Sequence, residues 1–149
     1  MWNTVFIAVH ATAALVAFGA GALSIRSGRH LGAYRAGIAV MALALVPAVL
    51  VDWAETAPVA RAVYVGLLGL ALVMVVRAEL AARRPPATSA YVHHVGFTLI
   101  SLADGFAVVT AVRLGAPGWL VGVLAVGVVV VGQRAVAGVE RSVVVPAAA

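Results

Sequence analysis

The sequence predicts an all-α integral membrane protein, a bundle of five transmembrane helices. Of its 149 residues, 64% are hydrophobic and only 10% are charged, and the mean hydropathy is +1.13. Soluble domains carry roughly a quarter charged residues. Five apolar runs come close to the roughly 20 residues that a helix needs to cross a bilayer. These runs are continuous rather than alternating, which favours helices over the strands of a membrane barrel.

The five segments are joined by connections too short to hold another domain, so we predict a single domain over residues 1–149. They run from about 5 to 23, 31 to 51, 59 to 76, 92 to 112 and 118 to 133. The first begins without the basic residues of a secretory signal, so we expect a helix that is retained.

Basic turns, prolines and polar stretches bound the segments. The turn Arg26 to His30 follows the first, and Pro47 is expected to kink the second. Asp52 to Glu55 form an acidic, aromatic stretch before the third, which ends at Arg84-Pro85-Pro86. The turn Leu114 to Pro117 separates the fourth segment from the fifth.

The arginines predict an outside N-terminus and a cytoplasmic C-terminus. Short cytoplasmic loops of membrane proteins are enriched in arginine and lysine. Eight of the ten arginines fall on one side of the predicted bundle: Arg26, Arg29, Arg35, Arg77, Arg83, Arg84, Arg134 and Arg141. Arg61 and Arg113 fall on the other side. An odd number of helices agrees with this orientation.

Composition also narrows the partners and the chemistry. The chain has no cysteine, which excludes disulfides, thiolate metal sites and thiol catalysis. The net charge is +5, but the arginines are dispersed among helix ends, where they favour membrane lipids over nucleic acid as partners. Arginine without lysine, with abundant alanine, valine and glycine, indicates a GC-rich genome. We therefore expect a multi-pass protein of the inner membrane of a bacterium or archaeon.

Small residues recur at the spacing that lets membrane helices approach closely. Ala13, Ala17 and Gly21 form such a stripe in the first segment, and Gly118 and Gly122 form a GxxxG motif in the fifth. Packing within one bundle and self-association through the fifth helix both account for the motif. We expect a homo-oligomer or a subunit of a larger membrane complex.

Ionisable residues at membrane depth are costly and usually face the bundle interior, so they indicate a functional site. His10 and Asp104 meet this condition, and both are expected in the outer half of the bundle. With Asp52 and Glu55 at the same side and Ser101 one turn from Asp104, they predict a buried site for protons or a small ligand. A second candidate site lies at the inner face and comprises His30, His93, His94 and Arg35.

The fourth segment concentrates these polar residues on one half of its circumference. His94, Thr98 and Ser101 share one face, and His93 and Asp104 lie on the adjacent arc. We interpret the fourth helix as the functional helix. In the purely structural alternative, His10 and Asp104 satisfy each other or a backbone carbonyl and only fix the packing.

Three further chemistries stay open. Haem b, with His30 and either His93 or His94 as axial ligands, is the alternative cofactor, because His10 and His94 lie about 20 Å apart in depth. Metal binding would use His10 with Asp52, Glu55 and Asp104, although no HxxxH or HExxH spacing supports it. A membrane hydrolase would pair Ser101 with His10.

The residues from His10 to Gly21 and from His30 to Arg35 resemble a group of small polytopic prokaryotic membrane proteins. In that group, a first-helix histidine precedes a short basic turn and a His-x-Gly element that opens the next helix. The resemblance covers about a quarter of the chain. It implies a membrane helical fold and carries no activity, cofactor or partner to this chain.

The sequence thus favours a non-enzymatic membrane protein, a subunit or small oligomer with a buried His and Asp centre, although enzymatic activity stays open. The alternative is a haem-binding or quinone-reactive membrane redox protein.

Overall fold

The computed structural model describes residues 2–51, 53–55 and 58–144, apart from a few side chains near the helix starts. Over these residues the chain forms five helices and no strand. They are α1 (Trp2–Ser27), α2 (Leu31–Leu50), α3 (Pro58–Ala82), α4 (Ser89–Arg113) and α5 (Gly118–Val144). Each is long and apolar enough to cross a membrane. The prediction of an all-helical chain with five such helices is therefore confirmed, and it fits a multi-pass membrane protein.

Four of the helices form a ring. Helix α1 packs against α2, α2 against α3, α3 against α4, and α4 closes the ring on α1. Helix α5 lies outside the ring and packs on α4. The centre of the ring is filled by buried side chains of all four helices, which include Ala17, Tyr34, Ile38, Met74, Tyr91 and Val95.

Small residues set the closest approaches between helices. A Cβ atom added at Gly37 of α2 would lie 3.0 Å from the backbone nitrogen of Ala17 on α1. Between α4 and α5 the fit is reciprocal, since Val136 covers Gly96 and Ile100 covers Gly132. Such contacts let backbones approach and replace the hydrophobic driving force that lipid does not provide.

The turns follow from local sequence signals. Gly28 adopts a φ of 67°, a left-handed conformation that favours glycine, and it reverses the chain between α1 and α2. Two prolines end the third helical stretch, and the Thr88 hydroxyl then accepts a hydrogen bond from the Tyr91 amide at 3.4 Å. These short turns place neighbouring helices antiparallel.

Four helices extend beyond the segments predicted from hydropathy, and α1 does so at both ends, from Trp2 to Ser27. Helix α3 continues to Ala82, so Arg77 lies inside a helix rather than after it. Helix α4 begins at Ser89, and α5 continues to Val144. Arg134, expected in the tail, therefore lies within α5. Arg77, Glu79 and Glu140 in these extensions have partners on neighbouring helices, which hydropathy alone does not register.

Candidate functional site

The predicted inner-face site is a set of separate pairs rather than one cluster. On α2, Arg35 makes a two-point contact with Glu79 of α3, with Nε to Oε1 at 3.0 Å and Nη2 to Oε2 at 2.6 Å. The two side chains are 42% and 47% exposed. The two-point geometry joins α2 to α3 in a defined orientation. Because both side chains are partly exposed, solvent screening reduces the contribution of this ion pair to stability.

Two histidines at the start of α4 have different partners. The Nε2 atom of His93 lies 3.1 Å from Oε2 of Glu140 on α5, and Ser89 donates a hydrogen bond to the same carboxylate. His94 instead faces α3, with its Nδ1 atom 3.4 Å from Arg77 Nη1. These contacts join α4 to α5 through His93 and to α3 through His94.

Arg77 is held by an aromatic ring as well. Its guanidinium carbon lies 4.9 Å from the centroid of the Phe97 ring on α4. A cation over an aromatic face is attracted by the ring quadrupole. This contact keeps the Arg77 side chain along the α3–α4 seam rather than free at the surface.

Two buried tyrosines join helices across the core, and sequence reasoning missed both. The Tyr91 hydroxyl on α4 donates to the backbone carbonyl of Ser24 on α1 at 2.9 Å. Tyr34 on α2 is hydrogen-bonded to the Thr98 hydroxyl on α4. The available signal was a tyrosine within an apolar helix, since a buried phenol needs a hydrogen-bond partner.

His10 lies at the α1–α2 seam. Its Nδ1 atom is 2.9 Å from the backbone carbonyl oxygen of Met41. A carbonyl only accepts, so Nδ1 carries the hydrogen and donates it, which leaves Nε2 as the nitrogen that accepts a proton. The expectation that His10 faces a neighbouring helix agrees with this contact.

Asp104 stands apart from the other acidic residues. Its Oδ1 atom is buried and has no hydrogen-bond partner among the described residues. Buried polar atoms in proteins are nearly always paired, and an unpaired one costs about 1–3 kcal/mol or more if charged. Because this carboxylate oxygen on a membrane helix has no hydrogen-bond partner, Asp104 is the candidate group for binding a proton or a ligand.

His10 and Asp104 lie at the same height in the ring. Both heights can be measured from the Tyr91–Ser24 hydrogen bond, because α1 and α4 are antiparallel neighbours. His10 and Asp104 are each about 20 Å along their helices from it, at 1.5 Å per residue. In the described part of the chain, however, neither a hydrogen bond nor an ion pair links the two side chains.

The remaining outer-site residues are placed differently. The Ser101 hydroxyl donates to the Phe97 carbonyl of its own helix at 3.0 Å, so the hydrolase alternative gains no support. Glu55 is exposed in the turn after α2. Asp52 lies outside the described residues. Within the described ranges, no group of three or more His, Asp or Glu residues is arranged to hold a metal ion.

The histidines proposed as haem ligands are dispersed. His30 is exposed in the turn before α2, whereas His93 and His94 face Glu140 and Arg77 on opposite sides of α4. Whichever α4 histidine served as the second ligand would have to leave its partner to bind an iron. The geometry adds nothing in favour of the haem alternative.

An open groove of about 560 Å³ lies between α1 and α2. Its lining is almost entirely apolar and includes neither His10 nor Asp104. It fits acyl chains better than a polar ligand, so the orphaned Asp104 oxygen and the groove are separate features.

Comparisons with known proteins add no relative: no family model, no curated protein and no solved structure matches this chain. The function has to be argued from its own side chains.

Proposed function

We propose that this protein is a non-enzymatic membrane bundle, a subunit or small oligomer, in which Asp104 binds and releases a proton or holds a small polar ligand, with His10 at the same height. The observation that carries the proposal is the buried Asp104 Oδ1 atom without a partner in the described part of the chain. A proton or a hydrogen-bond donor on that oxygen would remove the cost of leaving it unpaired.

His10 supports this proposal through its tautomer. Because Nδ1 donates to Met41, the imidazole is fixed in orientation while Nε2 keeps the capacity to accept a proton. A relay needs such a group at the depth of the carboxylate. A water molecule or a ligand would be needed to connect the two, since no direct bond joins them in the described residues.

The test is proton flux in liposomes under an imposed pH gradient, read with a trapped pH-sensitive dye. We expect Asp104→Asn to lower the flux at least about tenfold, because the amide cannot take up and release a proton. Glu79→Gln is the matched control, since it removes a membrane carboxylate that Arg35 already pairs. Wild-type flux through a folded Asp104→Asn protein would reject the proton role.

The position of α5 supports the oligomer part of the proposal. This helix packs on α4 outside the ring, and only 6% of the residues in its most apolar stretch are buried. Gly118 and Gly122 have no atom within 4 Å of an added Cβ. Small-residue faces of this kind are where membrane helices associate. Light scattering in detergent tests it: the wild type should exceed the monomer mass of 15.1 kDa and Gly122→Leu should approach it.

We also propose that the N-terminus is outside and that the protein resides in the inner membrane of a bacterium or archaeon. The helix order brings Arg26, Arg29, Arg83, Arg84 and Arg141 to one end of the bundle. The positive-inside rule makes that end cytoplasmic.

A further inference from the structure

One end of the bundle carries four exposed arginines from two different turns. Arg26 lies in the last turn of α1, Arg29 lies in the α1–α2 turn, and Arg83 and Arg84 follow α3. We call these four residues the arginine patch. The turns touch, because a Cβ added at Gly28 would lie 2.6 Å from Cγ of Pro86. The two arginine-bearing connections are therefore adjacent at this end of the bundle.

The charge of the arginine patch is not neutralised within the described part of the chain. The protein has five acidic residues in all, and two of them, Glu79 and Glu140, lie toward this end. Glu79 is paired with Arg35, and Glu140 is bonded to Ser89 and His93. The arginine patch consequently presents four positive charges at the surface of this end of the bundle.

An exposed leucine precedes the arginines in each of the two connections. Leu23 precedes Arg26 by three residues and is 64% exposed, and Leu80 precedes Arg83 by three residues and is 36% exposed. Residues three apart on a helix share a face. A ligand that contacts both members of each pair needs an anionic head joined to an apolar tail.

We propose that the arginine patch binds the phosphate groups of an anionic phospholipid in the leaflet that adjoins this end of the bundle. Guanidinium groups bind phosphate oxygens in a two-point geometry, and the leucines would contact the acyl chains below the headgroup. A soluble anion or a nucleic acid would contact only the arginines, whereas a phospholipid also contacts the adjacent leucines. This site lies at the opposite end of α4 from Asp104 and is independent of the proposed function.

The test measures which lipid the purified protein retains from mixed micelles of phosphatidylglycerol and phosphatidylcholine. Mass spectrometry of the retained lipid should show a preference of the wild type for phosphatidylglycerol. We expect Arg26→Gln with Arg29→Gln, or Arg83→Gln with Arg84→Gln, to lower that preference about tenfold. Arg61→Gln with Arg113→Gln removes the same charge from the opposite end of the bundle and should leave the preference unchanged.

Three results would overturn the proposal. One is a wild-type lipid preference in patch variants whose helical circular dichroism is unchanged. The second is an equal loss in the control that lacks Arg61 and Arg113, which would assign the effect to net charge alone. The third is release of the retained lipid by inorganic phosphate at the same phosphate concentration, which would show that the apolar tail plays no part. If a double variant does not fold, Arg29→Gln alone provides the comparison, because Arg29 lies in the turn outside both helices.

Discussion

Tyr34 on α2 is hydrogen-bonded to Thr98 on α4 across the centre of the four-helix ring. Both side chains are fully buried. The Thr98 hydroxyl already donates its one hydrogen to the Val95 carbonyl at 2.8 Å, so Tyr34 must be the donor and Thr98 Oγ1 the acceptor. The bond directly joins two helices that lie diagonally across the ring, where few other contacts connect them.

This donor assignment makes the two sides of the bond unequal. In Tyr34→Phe, Thr98 still donates to Val95, and we expect a loss of about 0.5–1.5 kcal/mol in the free energy of unfolding. In Thr98→Val, the buried Tyr34 hydroxyl loses its acceptor, and we expect a loss of about 1–3 kcal/mol. Both values can be measured by unfolding the protein from mixed micelles with a denaturing detergent.

Thr110→Val makes the same chemical change at an exposed position of α4 and is the control. It should lie within about 0.5 kcal/mol of the wild type. If Tyr34→Phe cost more than Thr98→Val, the direction of the hydrogen bond assigned above would be incorrect.

The α1–α2 contact gives a steric expectation. A Cβ at Gly37 would lie 2.9 Å from the Ala17 Cβ and 3.0 Å from the Ala17 backbone nitrogen, and a helix backbone cannot move aside easily. We expect Gly37→Ala to lower the free energy of unfolding by about 1–3 kcal/mol. Gly32→Ala, on the same helix with no atom within 4 Å, should stay within about 1 kcal/mol of the wild type. Equal stability of the two variants would mean that α1 and α2 are further apart at Gly37 than the 3.0 Å contact indicates.

Hydropathy was sufficient to predict the number of helices, because each span must be apolar along its whole length. It predicted the end of α5 poorly, since Gln133 and Arg134 resemble the edge of a membrane segment. The helix continues because Val136 packs onto Gly96 and Glu140 reaches His93. Such partners lie far away in sequence, so a composition window does not register them.

The pairing of polar side chains depends on how each helix is rotated, and this depends on the fit of many apolar side chains. Depth counting placed both His10 and Asp104 in the outer half of the bundle, and the register between α1 and α4 brings them to similar heights. It did not reveal that His10 bonds to a Met41 carbonyl rather than to a carboxylate. Nor did it bring Tyr34 and Thr98 together: Thr98 was placed on the polar face of the fourth helix, but Tyr34 was not considered as a partner for it.

Glu140 gives an expectation for the end of α5. Its carboxylate accepts a hydrogen bond from Ser89 and pairs with His93, and both partners are on α4. Glu140→Ala removes these contacts, so the last turns of α5 should open more often. We expect amide hydrogen exchange over residues 136–144 to accelerate about fivefold or more, equivalent to about 1 kcal/mol. Gln133→Ala, at an exposed position of the same helix, should leave this exchange unchanged; equal acceleration in both variants would show that Glu140 does not hold α5 to α4.

The orientation can be tested with single cysteines, because the chain has none of its own. Ala54→Cys lies in the exposed turn between α2 and α3, and Ser27→Cys lies at the exposed end of α1, at the opposite end of the bundle. With the arginine-rich end in the cytoplasm, a membrane-impermeant maleimide should label Ala54→Cys in intact cells. It should label Ser27→Cys only after the cells are permeabilised. The reverse pattern would place the N-terminus in the cytoplasm and the arginine-rich end outside, against the positive-inside rule. This pair of variants therefore tests whether the arginine charge or another feature of the chain sets the topology.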